Sequence, residues 1–290
     1  MNFLPLALVI VSAFSHALWN YLAKGSDEKE LFMFLLNLYS TILFMPILYF
    51  LIPNLIFPIE ILPYLIISGV AETIYFLSLG KAYETGDLSI VYPLARSSPL
   101  FVAIIASILL EEKISLWGYL GIFLVIIGVY ALHLKSLRIN DVTRPLRSLG
   151  NISSVYALVA ALGTTIYSIS DKKGVTLVDP LIYAFWLGII ITSFLGIVVL
   201  SRRSFTNLKK TITDKNFRIL ISGFLMKGGY ILVLVAMRMA QVSYILSIRQ
   251  VSVVIGAFFG LHFLKEENAG VRVIGALIIF LGVYILGILA

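Results

Sequence analysis

Gly121–Tyr130 reads GIFLVIIGVY and Gly275–Tyr284 reads GALIIFLGVY, so an apolar decapeptide that begins with Gly and ends in Gly-Val-Tyr occurs twice in the chain. The two copies lie 154 residues apart, and the same shift superimposes Glu112 on Glu266. Self-similarity at a fixed long period is typical of a structural unit that is repeated along the chain. The repeat therefore predicts two copies of one fold unit.

The composition indicates an integral membrane protein. Of the 290 residues 60% are hydrophobic and only 13% are charged. Cysteine is absent, which excludes a disulfide framework, a thiolate metal site and a cysteine nucleophile. A membrane-spanning helix needs about 20 mostly apolar residues. Charged and Pro/Gly-rich breaks divide the chain into ten such segments, at 4–23, 31–51, 61–80, 88–110, 115–134, 153–171, 180–200, 217–237, 241–263 and 269–289.

The ten segments form two sets of five. We predict a first five-helix repeat at 1–137, a polar linker at 138–152 and a second five-helix repeat at 153–290. Because five is odd, the second repeat enters the membrane from the opposite side, and the repeats are inverted. The fold class expected is an all-α integral membrane protein of ten helices, an architecture typical of secondary transporters.

Small residues predict close helix packing in both repeats. Glycines seven positions apart lie on one helix face, where a neighbouring backbone can approach. We expect this packing role for Gly121, Gly128, Gly275 and Gly282, and for the pair Gly256 and Gly260. Glu112 and Glu266 lie at helix ends, where solvated or capping charges are expected rather than transported protons.

Four ionisable side chains fall deep inside predicted helices. They are one acid, Glu72, and three bases, Arg96, Lys227 and Arg249. A charge at this depth is costly unless it is paired, so three cations against one anion leave a positive excess that a bound anion could neutralise. Glu72, expected to be the only deep one of the 15 acids, has two alternative roles: a counterion of Lys227 or Arg96, or a proton carrier.

Polar and aromatic residues follow single faces of the predicted helices. In the first helix they recur at i, i+4, i+7 and i+8 from Ser12, and the sixth helix shows a similar stripe from Thr164. Pro93 and Pro99 flank Arg96 and predict a hinge there. The candidate substrate-binding residues are His16, Trp19, Asn20, Glu72, Tyr75, Tyr92, Arg96, Tyr167, Ser168, Lys227, Tyr230, Arg249 and Gln250.

Two stretches carry a family resemblance. Ala106–Leu132 and Leu261–Leu286 each resemble the end of an EamA domain of the drug/metabolite transporter superfamily: an apolar helix, a Glu, and a Gly nine residues later that opens a Gly-rich helix. The resemblance implies a transporter of metabolites such as amino acids, nucleotide sugars, triose phosphates or organic cations. The segment SHALWN, Ser15–Asn20, resembles a subset of EamA-type proteins, some of them linked to phosphonate utilisation.

Two function classes follow from these patterns. The first is a secondary transporter or facilitator that works by alternating access on a small anionic or zwitterionic solute. Export of a carboxylate-bearing, amino-acid-like metabolite is the leading form, and organophosphate or phosphonate transport is the second. The other class is an intramembrane lipid-handling enzyme, but HExxH, GxSxG and Walker motifs are absent from the sequence.

We therefore expect no enzyme activity, no catalytic residue, no metal and no cofactor. The partners expected are the solute, membrane lipids and, if Glu72 carries protons, a coupling proton, without nucleic acid. The expected location is the cell membrane, as a multi-pass protein.

The charge distribution predicts the topology. Most of the 22 Lys and Arg lie in or next to the loops after the odd-numbered helices, so the positive-inside rule puts these loops in the cytoplasm and both termini outside. Because the chain has no cysteine, one cysteine introduced at either terminus can be labelled alone. It should react with a membrane-impermeant maleimide from outside the cell, and labelling from the cytoplasmic side only would contradict the topology.

Overall fold

The computed structural model describes residues 1–23, 29–52, 56–134, 136, 138–202, 205–263 and 269–290, and these are almost entirely helical. Thirteen α-helices follow one another in the described chain: α1 (Phe3–Ala23), α2 (Lys29–Leu51), α3 (Leu62–Thr85), α4 (Leu88–Ala95), α5 (Ser98–Leu109), α6 (Leu116–Leu132), α7 (Ile139–Arg147), α8 (Ile152–Leu177), α9 (Pro180–Leu200), α10 (Phe205–Met239), α11 (Val242–Arg249), α12 (Val251–Phe263) and α13 (Ala269–Tyr284). A 3₁₀ turn, Ile59–Ile61, precedes α3, and a π-helical turn, Ile285–Leu289, follows α13.

The ten predicted membrane segments are confirmed. In the described part of the chain, eight helical stretches are long and apolar enough to cross a bilayer, and Leu116–Leu132 and Val242–Phe258 are two shorter apolar ones. The predicted fourth segment is formed by α4 and α5 together, and the ninth by α11 and α12. Each repeat thus contains one helix that is interrupted within the membrane.

The two interruptions occupy equivalent positions. The hinge predicted between Pro93 and Pro99 lies where α4 ends at Ala95 and α5 begins at Ser98. The helix formed by α11 and α12 is interrupted at Gln250, where no proline or glycine indicates a break. The 154-residue shift aligns Gln250 with Arg96, so the internal repeat is the sequence signal for the second break.

Reciprocal glycine contacts establish the inversion of the repeats. A Cβ on Gly121 would lie 3.0 Å from the Gly282 carbonyl oxygen, and one on Gly282 would lie 2.8 Å from that of Gly121. Gly128 and Gly275 approach each other's carbonyl oxygens in the same way, at 2.8 Å each. Since Gly121 meets Gly282 and Gly128 meets Gly275, α6 and α13 run antiparallel. The predicted packing role of these four glycines is confirmed.

The repeats also interlock through their other helices. The third span of each repeat packs along the first span of the other: α3 on α8, and α10 on α1. A Cβ on Gly163 of α8 would lie 3.0 Å from the Ala71 carbonyl oxygen, and one on Gly229 of α10 would lie 3.0 Å from Ser15 Cβ. The middle of the bundle is therefore an interface between the repeats.

Glu112 caps a helix of the other repeat, as its position at a helix end predicted. Its carboxylate accepts hydrogen bonds from the backbone amides of Val242 (2.6 Å) and Ser243 (3.3 Å) and from the Ser243 hydroxyl (2.7 Å). These donors lie at the N-terminus of α11, where the free amides favour a negative charge. The symmetry-related Glu266 lies outside the described residues.

One expectation differs from the structure. Gly256 was expected to pack against another helix, but a Cβ there would meet no atom of the described chain within 4 Å; the side-chain environment of its partner, Gly260, lies outside the described residues. The linker between the repeats also contains the short helix α7, tied to the start of α4 by an ion pair between Arg144 and Asp87 (3.3 Å). Its basic residues lower the hydropathy of this segment, so the sequence predicted only a polar linker there.

The glycine contacts generate a prediction with a matched control. A Cβ on Gly275 would lie 2.5 Å from the Leu132 backbone nitrogen, and backbone cannot move aside as a side chain can. Gly275→Ala should therefore lower stability by about 1–3 kcal/mol. Gly256→Ala, which faces open space, should be neutral or stabilising by up to about 1 kcal/mol. Thermal unfolding of the two variants in detergent measures the difference, and equal unfolding temperatures would contradict the packing account.

Candidate functional site

A small cavity lies at the interface between the repeats, beside both helix interruptions. Its volume is about 30 Å³, far below the roughly 300 Å³ or more of ligand pockets. Six of the thirteen predicted residues line it: His16, Tyr75, Arg96, Tyr167, Arg249 and Gln250. The other lining residues are Leu79, Ala95, Ser98, Thr164 and Leu246. A metabolite could enter only if these helices moved apart.

One histidine lies between the two arginines at the cavity. Arg96 Nη2 is 3.2 Å from His16 Nε2, and Arg249 Nη2 is 3.3 Å from His16 Nδ1. Both arginines stand at the C-terminal ends of half-helices, α4 and α11, where the helix dipole favours a positive charge. Neither arginine forms an ion pair with a carboxylate in the described part of the chain.

This arrangement leaves donors facing donors. A neutral imidazole has one bare nitrogen and one N–H, and a guanidinium can only donate. His16 can therefore accept a hydrogen bond from one arginine, while its N–H points at the other. The buried Arg249 Nε and Gln250 Oε1 also have no hydrogen-bond partner within the described part of the chain. An anionic oxygen at this position would accept from both a guanidinium and the imidazole.

Three predicted residues support this cluster without lining the cavity. Trp19 is 5% exposed and packs edge-on against His16, with ring centroids 5.2 Å apart. The Tyr92 ring lies 5.2 Å from the Arg96 guanidinium carbon and stacks on His133 at 4.2 Å. Asn20 donates its amide to the His16 carbonyl oxygen (2.7 Å) and thus bonds to its own helix.

Two acids, Glu72 and Asp171, lie next to the cavity, together with the hydroxyl groups that bond to them. We call Glu72 and Asp171 the acid pair. The Tyr230 hydroxyl is hydrogen-bonded to Asp171 Oδ2 and lies 3.1 Å from Glu72 Oε1. Asp171 Oδ1 accepts hydrogen bonds from Ser68 and from Tyr183 (2.9 Å). The acid pair joins α3, α8, α9 and α10.

The expectation that Glu72 would be the only deep acid is wrong. Asp171 is completely buried. The sequence analysis placed the end of the sixth membrane helix at Asp171, because Lys172 and Lys173 follow it. In the structure α8 continues to Leu177, and Lys172 donates to the Met237 and Ala240 carbonyl oxygens (3.0 Å to Ala240). Those bonds allow the helix to continue past its charges.

Lys227 is buried at 5% exposure but does not bridge to Glu72. Its Nζ donates to the Ala184 carbonyl oxygen of α9 (2.7 Å), and Glu72 contacts Tyr230 instead. Ser168, another predicted residue, is buried, and its hydroxyl has no hydrogen-bond partner among the described residues. The proposed Glu72–Lys227 ion pair is thus replaced by separate hydrogen bonds.

Two tyrosines separate the acid pair from the cavity. Tyr75 follows Glu72 by three residues on α3, and Tyr167 precedes Asp171 by four on α8. Their rings meet edge-on, with centroids 6.0 Å apart. The acid pair therefore lies about one helical turn from two residues that line the cavity together with the arginines.

Asp171, Ser68 and Tyr183 belong to this group of acids and hydroxyls but were not among the predicted site residues, and Tyr183 had the weakest signal. It bonds to Asp171 from α9, a helix in which no ionisable group indicated a site. Its signal was weak, because buried tyrosines in membrane helices are common and its partner is 12 positions away on another helix.

The fold and the cavity define a multi-pass membrane transporter built from two inverted repeats. The model of the EamA-like transporter family matches residues 3–134 and 151–288, which together cover most of the chain. The chain therefore belongs to the EamA-like transporter family, and the resemblance inferred from its sequence is confirmed. Members of this family are multi-pass membrane transporters.

The fold is also found among solved structures. One, described only as the crystal structure of a protein, superimposes with a TM-score of 0.71 at 13% sequence identity and covers 98% of this chain and 99% of its own. At this identity the likeness shows the shared fold alone. No curated protein matches the chain.

The position of the aromatic residues generates a prediction about solute size. Tyr167 lines the cavity, whereas Trp19 stands behind His16. Tyr167→Ala should therefore change the preference between large and small solutes. Trp19→Ala should weaken the binding of all solutes alike, because the His16 imidazole would lose the ring that holds it in place. Binding of a size series of solutes, measured by thermal shift, separates the effects. Tyr119→Ala, on the exposed face of α6, is the control and should change neither.

Proposed function

We propose that this protein is a secondary transporter that moves a small, carboxylate-bearing, amino-acid-like metabolite across the membrane by alternating access, with export as the leading direction. The observation that carries the proposal is the pair of arginines on either side of His16, without a carboxylate partner among the described residues. A buried cation that lacks an internal counterion is costly in a membrane. A bound anion would supply the missing charge.

Helix ends add to the attraction for an anion. The N-terminal residue of α5, Ser98, lines the cavity, and so does Gln250, which directly precedes α12. Half-helix N-termini at the middle of a membrane carry free amides and a partial positive charge, and transporters use them to bind acidic groups. The arginines and the half-helix N-termini thus both favour an anion in the same small cavity.

The acid pair favours a zwitterion over a simple anion. It lies about one helical turn along α3 and α8 from Tyr75 and Tyr167, which line the cavity together with the arginines. A solute with a carboxylate and an amine would find a positive surface at the arginines and a negative one on the side of the acid pair. This complementarity supports the amino-acid-like class.

A phosphonate or organophosphate is the second candidate. Two guanidinium groups match the two negative charges that such a group can carry, and arginine binds phosphorus oxyanions in the same forked geometry as carboxylates. The two candidates differ in the acid group alone, so one panel of solutes distinguishes them.

Alternating access is supported by the helix interruptions. The cavity is too small for a metabolite in this conformation, and the helices beside it are broken at Arg96 and Gln250. Short half-helices can tilt without breaking further hydrogen bonds. Movement about the two breaks would open the cavity to one side at a time.

Thermal unfolding with matched solutes tests the proposal, because a ligand that binds the folded protein raises its unfolding temperature. L-phenylalanine is compared with L-phenylalaninamide, and 2-aminoethylphosphonate with ethanolamine. Stabilisation by the solute that carries the carboxylate or the phosphonate, but not by the counterpart that lacks this acid group, is expected. Equal stabilisation within both pairs would contradict anion recognition. The stabilising solute should then cross proteoliposome membranes chemically unchanged, whereas a converted product would favour the lipid-handling enzyme class.

Arg96→Lys and Arg249→Lys test the arginine assignment. Lysine keeps the charge but loses the forked pair of donors. Each loss of a charge-assisted hydrogen bond is worth roughly 1.5–3 kcal/mol, so the Kd should rise about 10- to 100-fold. Arg238→Lys is the matched control, since Arg238 is half exposed and lies 3.8 Å from Asp179. Wild-type affinity in both cavity variants would disprove the assignment.

A further inference from the structure

We propose that the acid pair, Glu72 and Asp171, holds one exchangeable proton, carried by Glu72, and that this proton is exchanged during the transport cycle. The second half of this inference rests on the proposed transport function. The first half concerns the protein alone and can be tested without any solute.

The hydrogen bonds of Tyr230 require a proton on one of the two acids. Its hydroxyl oxygen contacts Asp171 Oδ2 and also Glu72 Oε1 at 3.1 Å. A phenol has a single hydrogen, and an ionised carboxylate can only accept. The hydroxyl therefore donates to one carboxylate, and the other acid donates its own proton to the phenol oxygen. The pair carries one negative charge and one acidic proton.

The remaining contacts place that proton on Glu72. Asp171 receives two further hydrogen bonds, from the hydroxyls of Ser68 and Tyr183. Three donors stabilise an ionised carboxylate, because hydrogen bonds to a charged acceptor are the strong ones. Glu72 has Tyr230 as its hydrogen-bond partner among the described contacts. Asp171 is the anion of the pair, and Glu72 is its protonated acid.

The charges around Glu72 come from every helix packed against it. On its own helix, α3, the neighbouring titratable group is Tyr75, and the other helices contribute Asp171 and Tyr167 from α8, Tyr183 from α9, Lys227 and Tyr230 from α10 and Arg249 from α11. Asp171 opposes a second negative charge at Glu72, while Lys227 and Arg249 favour one. Lys227 is already bonded to the Ala184 carbonyl oxygen, so Arg249 is the group whose effect a bound solute would change.

Arg249 links the proton to the solute. When an anion binds at the arginine cluster it offsets the positive charge of Arg249, and a negative charge on Glu72 loses support. Anion binding and proton binding therefore favour each other, and by linkage the effect is reciprocal. A solute and a proton that are bound together cross the membrane in the same direction. An inward proton gradient would therefore oppose export, and export would have to be driven by the outward concentration gradient of the solute.

Stability of two isosteric variants tests the proton assignment without a solute. In Glu72→Gln the amide N–H₂ can donate to the Tyr230 oxygen as a carboxylic acid does, so the unfolding temperature at neutral pH should stay close to that of the wild type. In Asp171→Asn an N–H₂ group faces hydroxyl donors, and the unfolding temperature should fall clearly. Glu60→Gln, at an exposed acid just before α3, is the matched control and should match the wild type.

Infrared spectroscopy detects the proton directly. At neutral pH the wild type should show the carbonyl band of a protonated carboxylic acid, and Glu72→Gln should lose it while Glu60→Gln keeps it. A wild type without this band, or a Glu72→Gln variant as unstable as Asp171→Asn, would overturn the assignment and make Glu72 an ionised counterion.

Binding at different pH values tests the link to transport. The solute used is 2-aminoethylphosphonate or L-phenylalanine, whichever stabilises the wild type. Its affinity should weaken as the pH rises through the range in which the infrared band is lost. Glu72→Gln should bind with the same affinity across that range. A wild-type affinity that does not change there would refute the coupling. If neither solute binds but the band is present, the proposed substrate class fails while the proton site stands.

Discussion

The antiparallel contact of α6 with α13 is the constraint on which the rest of the structure depends. Gly121 against Gly282 and Gly128 against Gly275 let two helix backbones approach each other closely. Because the contacts are reciprocal, they relate the two repeats by an approximate twofold axis. The same axis makes α3 pack on α8 in the way that α10 packs on α1. Both interrupted helices are consequently brought to the centre of the bundle.

That central position explains why polar groups can be retained at such depth. The backbone groups released at Arg96 and Gln250 face protein and a small cavity rather than lipid, where unsatisfied amides and carbonyls would be costly. The same interruptions end α4 and α11 beside arginines, so the helix dipoles stabilise those charges in part. The two guanidinium groups beside the imidazole of His16 form no ion pair with a carboxylate among the described residues, and this is where a solute can contribute stability.

The scaffold is symmetric, but the chemistry built on it is not. The 154-residue shift aligns Arg96 with Gln250 and Tyr230 with Phe76. One half of the interface, between α3 and α8, provides both members of the acid pair. The equivalent half, between α10 and α1, provides Tyr230 and His16. Two repeats of one fold thus form a site with a positive end and an acidic end, which a symmetric pair could not provide.

The sequence by itself determined the ten spans, the inversion of the repeats, four of the packing glycines and the three deep cations. Each of these follows from properties local to one segment: apolar length, an odd number of spans, seven-residue glycine spacing and distance from a helix end. Only the tertiary structure decided that Asp171 is buried, that Tyr230 joins it to Glu72, and which polar residues reach the cavity. Those outcomes depend on where α8 ends and on contacts between residues some 60 to 160 positions apart. A local pattern specifies the face a residue lies on, but not which helix lies opposite that face.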